Sequence, residues 1–326
     1  MNCEFDLKVL PQNPEQFADH ALSLFRWQYK YNTLYRDYVD LLRIDPATIT
    51  APEKIPFLPI SFFKTHKVVS GNWEAQTWFE SSGTTGSVNS RHYVKDITVY
   101  RDSFEKAFSL FYGDPASWCI VGLLPAYLER QHSSLVVMVD ELIRKSGHPK
   151  SGFYLYNHEE LAALLKENEA AGQKTWLIGV TFALLDFARD WPMPLKHTVV
   201  LETGGMKGRR EELTRAEVQE YLKKQFNLPK IHAEYGMTEL FSQAYSCGDG
   251  IFRCPPWMRV YMREEDDPQA VRVSGNGVIS VIDLANVYSC AFIATEDIGK
   301  LHGDGSFEIL GRMDNSDIRG CSLMVV

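Results

Sequence analysis

Between residues 118 and 235 the chain alternates in texture. Short apolar runs at 118–124, 174–178, 198–202 and 230–235 are strand-like, and among them lie amphipathic helical patterns at 133–144, 159–167, 183–189 and 215–225. A strand, a helical pattern and a further strand make a βαβ unit, and a run of such units implies a mostly parallel sheet flanked by helices. An α/β fold of this kind binds ligands at the loops that leave the carboxyl ends of its strands.

The ends of the chain read differently. After about residue 250, β-like runs at 258–262, 270–273, 277–282, 290–293 and 306–309 are spaced by Gly, Asp and Asn. They predict a small β-rich, barrel-like subdomain over 251–326, beside an α/β core over 1–250. A chain of 326 residues accommodates that division. Apolar residues at three- and four-residue steps from Phe17 to Leu41 predict one long helix over 14–43, with Pro14 at its first turn. Its aromatics read as core packing rather than a lipid-facing surface. Leu58 to Lys64 reads as an extended link.

The formal net charge is −8, which disfavours general binding to nucleic acid or anionic membrane and leaves room for a local phosphate pocket. No apolar run approaches the ~18–20 residues of a membrane span, and the N-terminus lacks a signal-peptide pattern. The six cysteines form no dense framework, so the expected compartment is the cytoplasm. Cys247 and Cys254, near His232 and Asp249, lack the usual zinc-ligand spacing and read as plain thiols.

Three stretches carry candidate chemistry. Ser81-Ser82-Gly83-Thr84-Thr85-Gly86 follows a strand-like aromatic run. Its glycines and hydroxyls suit a phosphate cradle, and its composition equally suits a surface linker. Glu234-Tyr235-Gly236-Met237-Thr238-Glu239 follows the strand-like run at 230–233. It offers an aromatic face, a hydroxyl and a carboxylate for a base, a phosphate and Mg²⁺, or it is a plain strand-end turn. Thr295-Glu296-Asp297-Ile298-Gly299 presents Asp297 in a turn, with Arg312 and Asp314 further on in Gly311-Arg312-Met313-Asp314. A carboxylate can take two ribose hydroxyls, and an arginine can support them.

In this order the stretches resemble the adenylate-forming superfamily, from about residue 77 to the end. The flanks at 55–68, 122–139 and 201–210, and the phosphate loop's missing Pro-Lys-Gly ending, are most similar to LuxE-type acyl-protein synthetases, with phenylacetate–CoA ligases next. The resemblance implies the large N-terminal domain of an adenylate-forming enzyme and condensation of a carboxylic acid, of fatty-acid type, with ATP. An acyl-adenylate forms first and the acyl group then passes to a thiol. It implies ATP and Mg²⁺ as cofactors. Ser82, Thr84, Thr85 and Gly86 would hold the β- and γ-phosphates. Gly204, Gly205, Glu234, Tyr235 and Gly236 would frame the adenine. Thr238 would contact the α-phosphate, Glu239 would ligate the metal, and Asp297 and Arg312 would hold the ribose.

The chain stops at Val326, twelve residues after Asp314, so the superfamily's mobile C-terminal lid domain, with its catalytic lysine, is expected to be absent. Lys207 is the candidate substitute cation, with a solvated loop lysine as the alternative. Cys321, near the C-terminus, matches the acyl-accepting cysteine of the acyl-protein synthetases, with a small packed hydrophobe as the alternative. His132 follows a loop that borders the acyl pocket in the family, or it belongs to a helix start at Ser133. The remaining functional alternatives are an acyl- or aryl-CoA ligase, or a weakly catalytic nucleotide-binding transfer subunit. Expected partners are the small-molecule acid and an acyl-accepting or reductase protein. Oligomerisation is plausible by analogy alone.

Overall fold

The apolar runs of the middle third form strands buried on both faces. The computed structural model describes residues 10–11, 13–81, 89–124, 132–204, 213–267 and 269–313. Eight α-helices are described: α1 (Pro14–Tyr31), α2 (Thr33–Leu41), α3 (Phe62–Thr65), α4 (Ile97–Tyr112), α5 (Ser134–Ser146), α6 (His158–Ala171), α7 (Thr181–Asp190) and α8 (Arg215–Phe226). The first strands are β1 (Leu58–Pro59), β2 (Thr77–Glu80), β3 (Arg91–Val94), β4 (Cys119–Leu123), β5 (Gly152–Phe153), β6 (Thr175–Gly179), β7 (Thr198–Glu202) and β8 (His232–Tyr235). They are followed by β9 (Ala244–Ser246), β10 (Phe252–Arg253), β11 (Met258–Arg263), β12 (Val271–Arg272), β13 (Gly275–Asp283), β14 (Phe292–Leu301) and β15 (Phe307–Arg312).

Strands β5, β4, β6, β7 and β8 pair in parallel, in that order, with α5 to α8 in the crossovers. Every residue of β4 and β6 is buried, which is why these strands read as continuous apolar runs rather than as alternating ones. Side chains start the crossover helices: Ser133 caps α5, and Thr214 with Glu217 forms a capping box on α8. The α/β expectation holds, with a large sheet flanked by helices, but the sheet as a whole is mixed: the parallel pairing expected of it is confined to β4–β8 and to β1 against β14.

Pairing turns antiparallel at β8–β9, and the sheet runs on through β10, β15, β14, β13, β11 and β12. The change of texture near residue 250 marks this switch of pairing, and hydrogen bonding continues across it. Strands β2 and β3 form a separate hairpin.

Three local expectations need correction. The long helix over 14–43 is two helices broken at Asn32. The Asn32 side chain accepts from the Tyr35 N–H and donates to Ser70 Oγ and the Ser289 carbonyl, so it starts a new helix and ties the break to the sheet. The link at 58–64 is structured: β1 pairs in parallel with β14, and α3 follows at once. Asp297 lies on strand β14, opposite Arg312 of β15, rather than in a turn. The Gly and Asp residues that suggested a turn mark a register irregularity at Ile298/Gly299.

The N-terminal helices pack on the antiparallel end of the sheet. The Gln28 amide donates to the carbonyls of Asn286 and Val287 and accepts from the Ala291 N–H, bracketing the β13–β14 connection. Tyr35 stacks on Phe292 at 5.8 Å. The aromatics of α1 and α2 are core or half-buried, as read from their spacing.

Candidate active site

Two parallel strands end beside each other in small residues and carboxylates. β7 ends at Glu202 and leads into Thr203 and Gly204, and β8 ends at Tyr235 and leads into Gly236. Glu202 accepts from the Thr181 hydroxyl at 2.5 Å and the Gly204 N–H at 2.8 Å. Glu234 accepts from the Thr203 hydroxyl at 2.5 Å. Gly204 sits at φ +64°, where glycine turns the chain without strain. A Cβ at Gly236 would overlap the Glu234 carboxylate and press on Gln243 Cγ at 3.2 Å, so the absence of a side chain there is a packing requirement. Burial raises the Glu234 pKa to about 7; the Thr203 hydroxyl opposes the shift and the nearby Glu202 adds to it.

The antiparallel strands close the other side. The Tyr235 hydroxyl donates to Asp297 Oδ2 at 2.8 Å, joining the end of the parallel sheet to β14. Phe307 and Phe252 hold the Tyr235 ring edge-on. Asp297 is pushed above the usual carboxylate range by burial, against the pull of the Tyr235 hydroxyl and the Arg312 and Arg215 charges. Arg312 also reaches Glu296 at 3.3 Å.

The turn after β8 is fixed from beneath. His92 on β3 is fully buried, and its Nδ1 lies 2.9 Å from the Thr238 carbonyl. Burial lowers its pKa to about 4, so the neutral ring donates through Nδ1–H and leaves Nε2 buried with no partner among the described residues. His92 stacks on Phe241 at 4.5 Å. Asp283 accepts from the N–H groups of Phe241, Ser242 and Ala285 and from the Ser242 hydroxyl, at 2.6–3.1 Å. Glu239 is buried and its pKa is raised by that burial, while Ser90, Arg312 and Lys64 pull it down.

Gly204, Glu234, Tyr235, Gly236, Thr238, Glu239, Asp297 and Arg312 therefore lie on described segments that meet around the ends of β7 and β8 and the paired β14–β15. Ser82, Thr84, Thr85, Gly86, Gly205, Lys207 and Cys321 lie outside the described residues. His132 stacks on Trp78 at 4.1 Å, just before α5.

Sequence reasoning passed over His92 and Asp283, and it placed Glu202 at the end of a strand-like run and in a family-like stretch without giving it a role. The available signals were a histidine at an inward position of a short strand and a carboxylate directly after the apolar run at 278–282. No group of three His, Cys, Asp or Glu suited to hold a metal occurs among the described residues.

Residues 10–120 match the sequence family described as "Acyl-protein synthetase, LuxE". Over 67 residues the chain is 39% identical to a long-chain-fatty-acid–luciferin-component ligase of Photorhabdus luminescens, a stretch covering 20% of this chain and 57% of that protein. ATP-bound MatB of Rhodopseudomonas palustris superposes with a TM-score of 0.55 at 16% identity, over 72% of this chain and 47% of that one. A 2-hydroxyisobutyryl-CoA ligase in complex with R3-HIB-AMP superposes with a TM-score of 0.62 at 11% identity, over 96% of this chain and 74% of that one. Residues 10–120 are thus similar to the LuxE family, and the chain shares its fold with these two proteins. The LuxE-like match begins at residue 10 and so takes in the N-terminal helices. The chain spans about half the length of MatB and of the Photorhabdus ligase. Among the described residues no helix is long and apolar enough to cross a membrane.

Proposed function

We propose that this chain activates a carboxylic acid, of fatty-acyl type, with ATP and then passes the acyl group to a thiol. The observation that carries the proposal is the meeting of Tyr235 with Asp297, 62 residues apart, at a 2.8 Å hydrogen bond beside the Thr238–Glu239 turn. An aromatic ring, a ribose-type carboxylate and a hydroxyl–carboxylate turn are what an adenine nucleotide needs along its length. The LuxE-like sequence match supports the acyl-transfer half of the reading.

In this proposal Gly204, with Gly205, and the segment Glu234–Gly236 frame the adenine. Asp297 and Arg312 hold the ribose. Thr238 and the hydroxyls of Ser82, Thr84 and Thr85, with Gly86, face the phosphates. A substrate carboxylate oxygen attacks the α-phosphorus. The bond from that phosphorus to its bridging oxygen breaks, and pyrophosphate leaves with the electron pair. Donors fixed before reaction stabilise the charge that builds there. His92 holds the Thr238 carbonyl, and so the turn, in place. The thiolate then attacks the acyl carbon and AMP departs.

Mg²⁺ fits the site through Glu239. A magnesium ion shared with substrate phosphates needs one or two protein carboxylates, and Glu239 is a buried carboxylate with no ion pair among the described residues. When bound, the metal would neutralise phosphate charge. Cys321 is the proposed thiol, and Lys207 the proposed loop cation. A free protein or CoA thiol is the alternative acceptor.

The test is intact-protein mass spectrometry after incubation with ATP, Mg²⁺ and a panel of fatty acids, on wild type and Cys321→Ala. A hydroxylamine-labile acyl adduct on wild type alone is the expected result. An adduct that persists in the variant moves the acceptor elsewhere. Pyrophosphate release only with CoA present replaces the reading with a CoA ligase. Neither adduct nor pyrophosphate release, with or without CoA, removes it.

A further inference from the structure

A cavity of about 310 Å³ opens between α3 and β3, and its lining is cationic. Lys64, Lys67 and Arg91 line it with His66, and Glu80 is its single carboxylate. Two positive charges in excess at one spot stand out on a chain whose net charge is −8. Lys64 and Lys67 form no ion pair among the described residues; Lys67 lies over the Tyr93 ring at 5.2 Å. Arg91 is only loosely matched, with its Nε 3.8 Å from a Glu80 oxygen that also accepts from Asn89. Two lysines and an arginine set against a single carboxylate are a site for a multiply charged anion.

The cavity is tied to the site already described. Phe63, beside Lys64 in sequence, is buried edge-on against His92 at 5.8 Å, and His92 holds the Thr238 carbonyl. Phe63 thus anchors the chain at Lys64 beside the residue that holds the turn, and the Lys64 charge is felt by Glu239.

We propose that this cavity is a pyrophosphate subsite. Lys64, Lys67 and Arg91 would take the terminal phosphates of the triphosphate and hold pyrophosphate as it leaves. The inference rests on the adenylation reading above and adds three residues to it. Neutralising the leaving group favours the bond-breaking step, and a lysine contributes a compact charge suited to a phosphate oxygen.

Calorimetric titration of the full chain with inorganic pyrophosphate, ATP, AMP and adenosine 3′,5′-bisphosphate tests this, on wild type, Lys64→Met, Lys67→Met and Lys64→Arg. Thermal melts check that each variant is folded. Loss of about tenfold or more in pyrophosphate and ATP affinity in both methionine variants, unchanged AMP affinity, and partial recovery in Lys64→Arg are expected. Unchanged pyrophosphate affinity in both methionine variants overturns the subsite, and so does an equal loss for AMP. A loss confined to the 3′,5′-bisphosphate, the phosphate end of CoA, overturns it in favour of an acceptor site. Wild type that binds AMP but no pyrophosphate overturns the subsite and leaves adenylation standing. Lysine-dependent pyrophosphate binding without any nucleotide binding supports the anion site and overturns the adenylation reading.

Discussion

Glu234 is a buried carboxylate whose pKa lies near neutrality, and this has a consequence for stability. Its folded pKa of about 7 exceeds the ordinary value of 4.5, so the folded chain holds a proton that the unfolded chain releases. The associated stability is fully present below pH 4.5 and is lost as pH rises through 7. The loss is at most about 3 kcal/mol. Denaturant titrations across pH 5–8 are expected to show that fall in wild type and a flatter profile in Glu234→Gln, whose amide oxygen still accepts from Thr203. An unchanged slope in the variant would locate the titrating group elsewhere. Gly236 supplies a second residue-scale test. Gly236→Ala forces its methyl group into the Glu234 carboxylate. It is expected to cost about 1–3 kcal/mol by overpacking, read as a lower denaturation midpoint, with adenylation falling in step.

At the scale of elements, the turn after β8 depends on what lies under it. Asp283 at the end of β13 collects four hydrogen bonds from Phe241, Ser242 and Ala285, so it fixes the chain that follows Glu239. Asp283→Ala strands those buried donors and is expected to cost about 3 kcal/mol or more, with Asp283→Asn intermediate. Equal denaturation midpoints in all three proteins would show that the turn is held otherwise. Most βαβ elements were legible from the sequence because burial on both faces writes an apolar run, as in β4 and β6. Helix α4 was not separated from its surroundings. The break at Asn32 was hidden because the apolar period continues across it: Phe25 and Tyr35 are both core residues. The signal that ended α1 is a side chain bonded to Ser70 and Ser289, and local periodicity carries no trace of partners so far away.

The whole molecule sets the proposed nucleotide site across a change in pairing. The Tyr235 hydroxyl bonds the last parallel strand to β14 of the antiparallel part. Tyr235→Phe removes that bond and leaves Asp297 buried without its donor, at an expected cost of about 1–3 kcal/mol. Saturating ATP is expected to raise the melting temperature of wild type, by the equivalent of about 2.7 kcal/mol at a hundredfold excess over Kd. The gain should shrink in Tyr235→Phe when both are measured at one ATP concentration. An equal gain in the two would separate this hydroxyl from the nucleotide. The sequence by itself determined the α/β class, the strand-end location of the Glu234–Glu239 turn and the motif residues, because burial and backbone freedom select residue types locally. Only the tertiary structure decided that Asp297 sits on a strand opposite Arg312, that the sheet is continuous through β8–β9, and that His92, Asp283 and Lys64 gather around one turn. Those relations are contacts between residues tens to hundreds of positions apart, fixed by strand order and packing rather than by any neighbour along the chain.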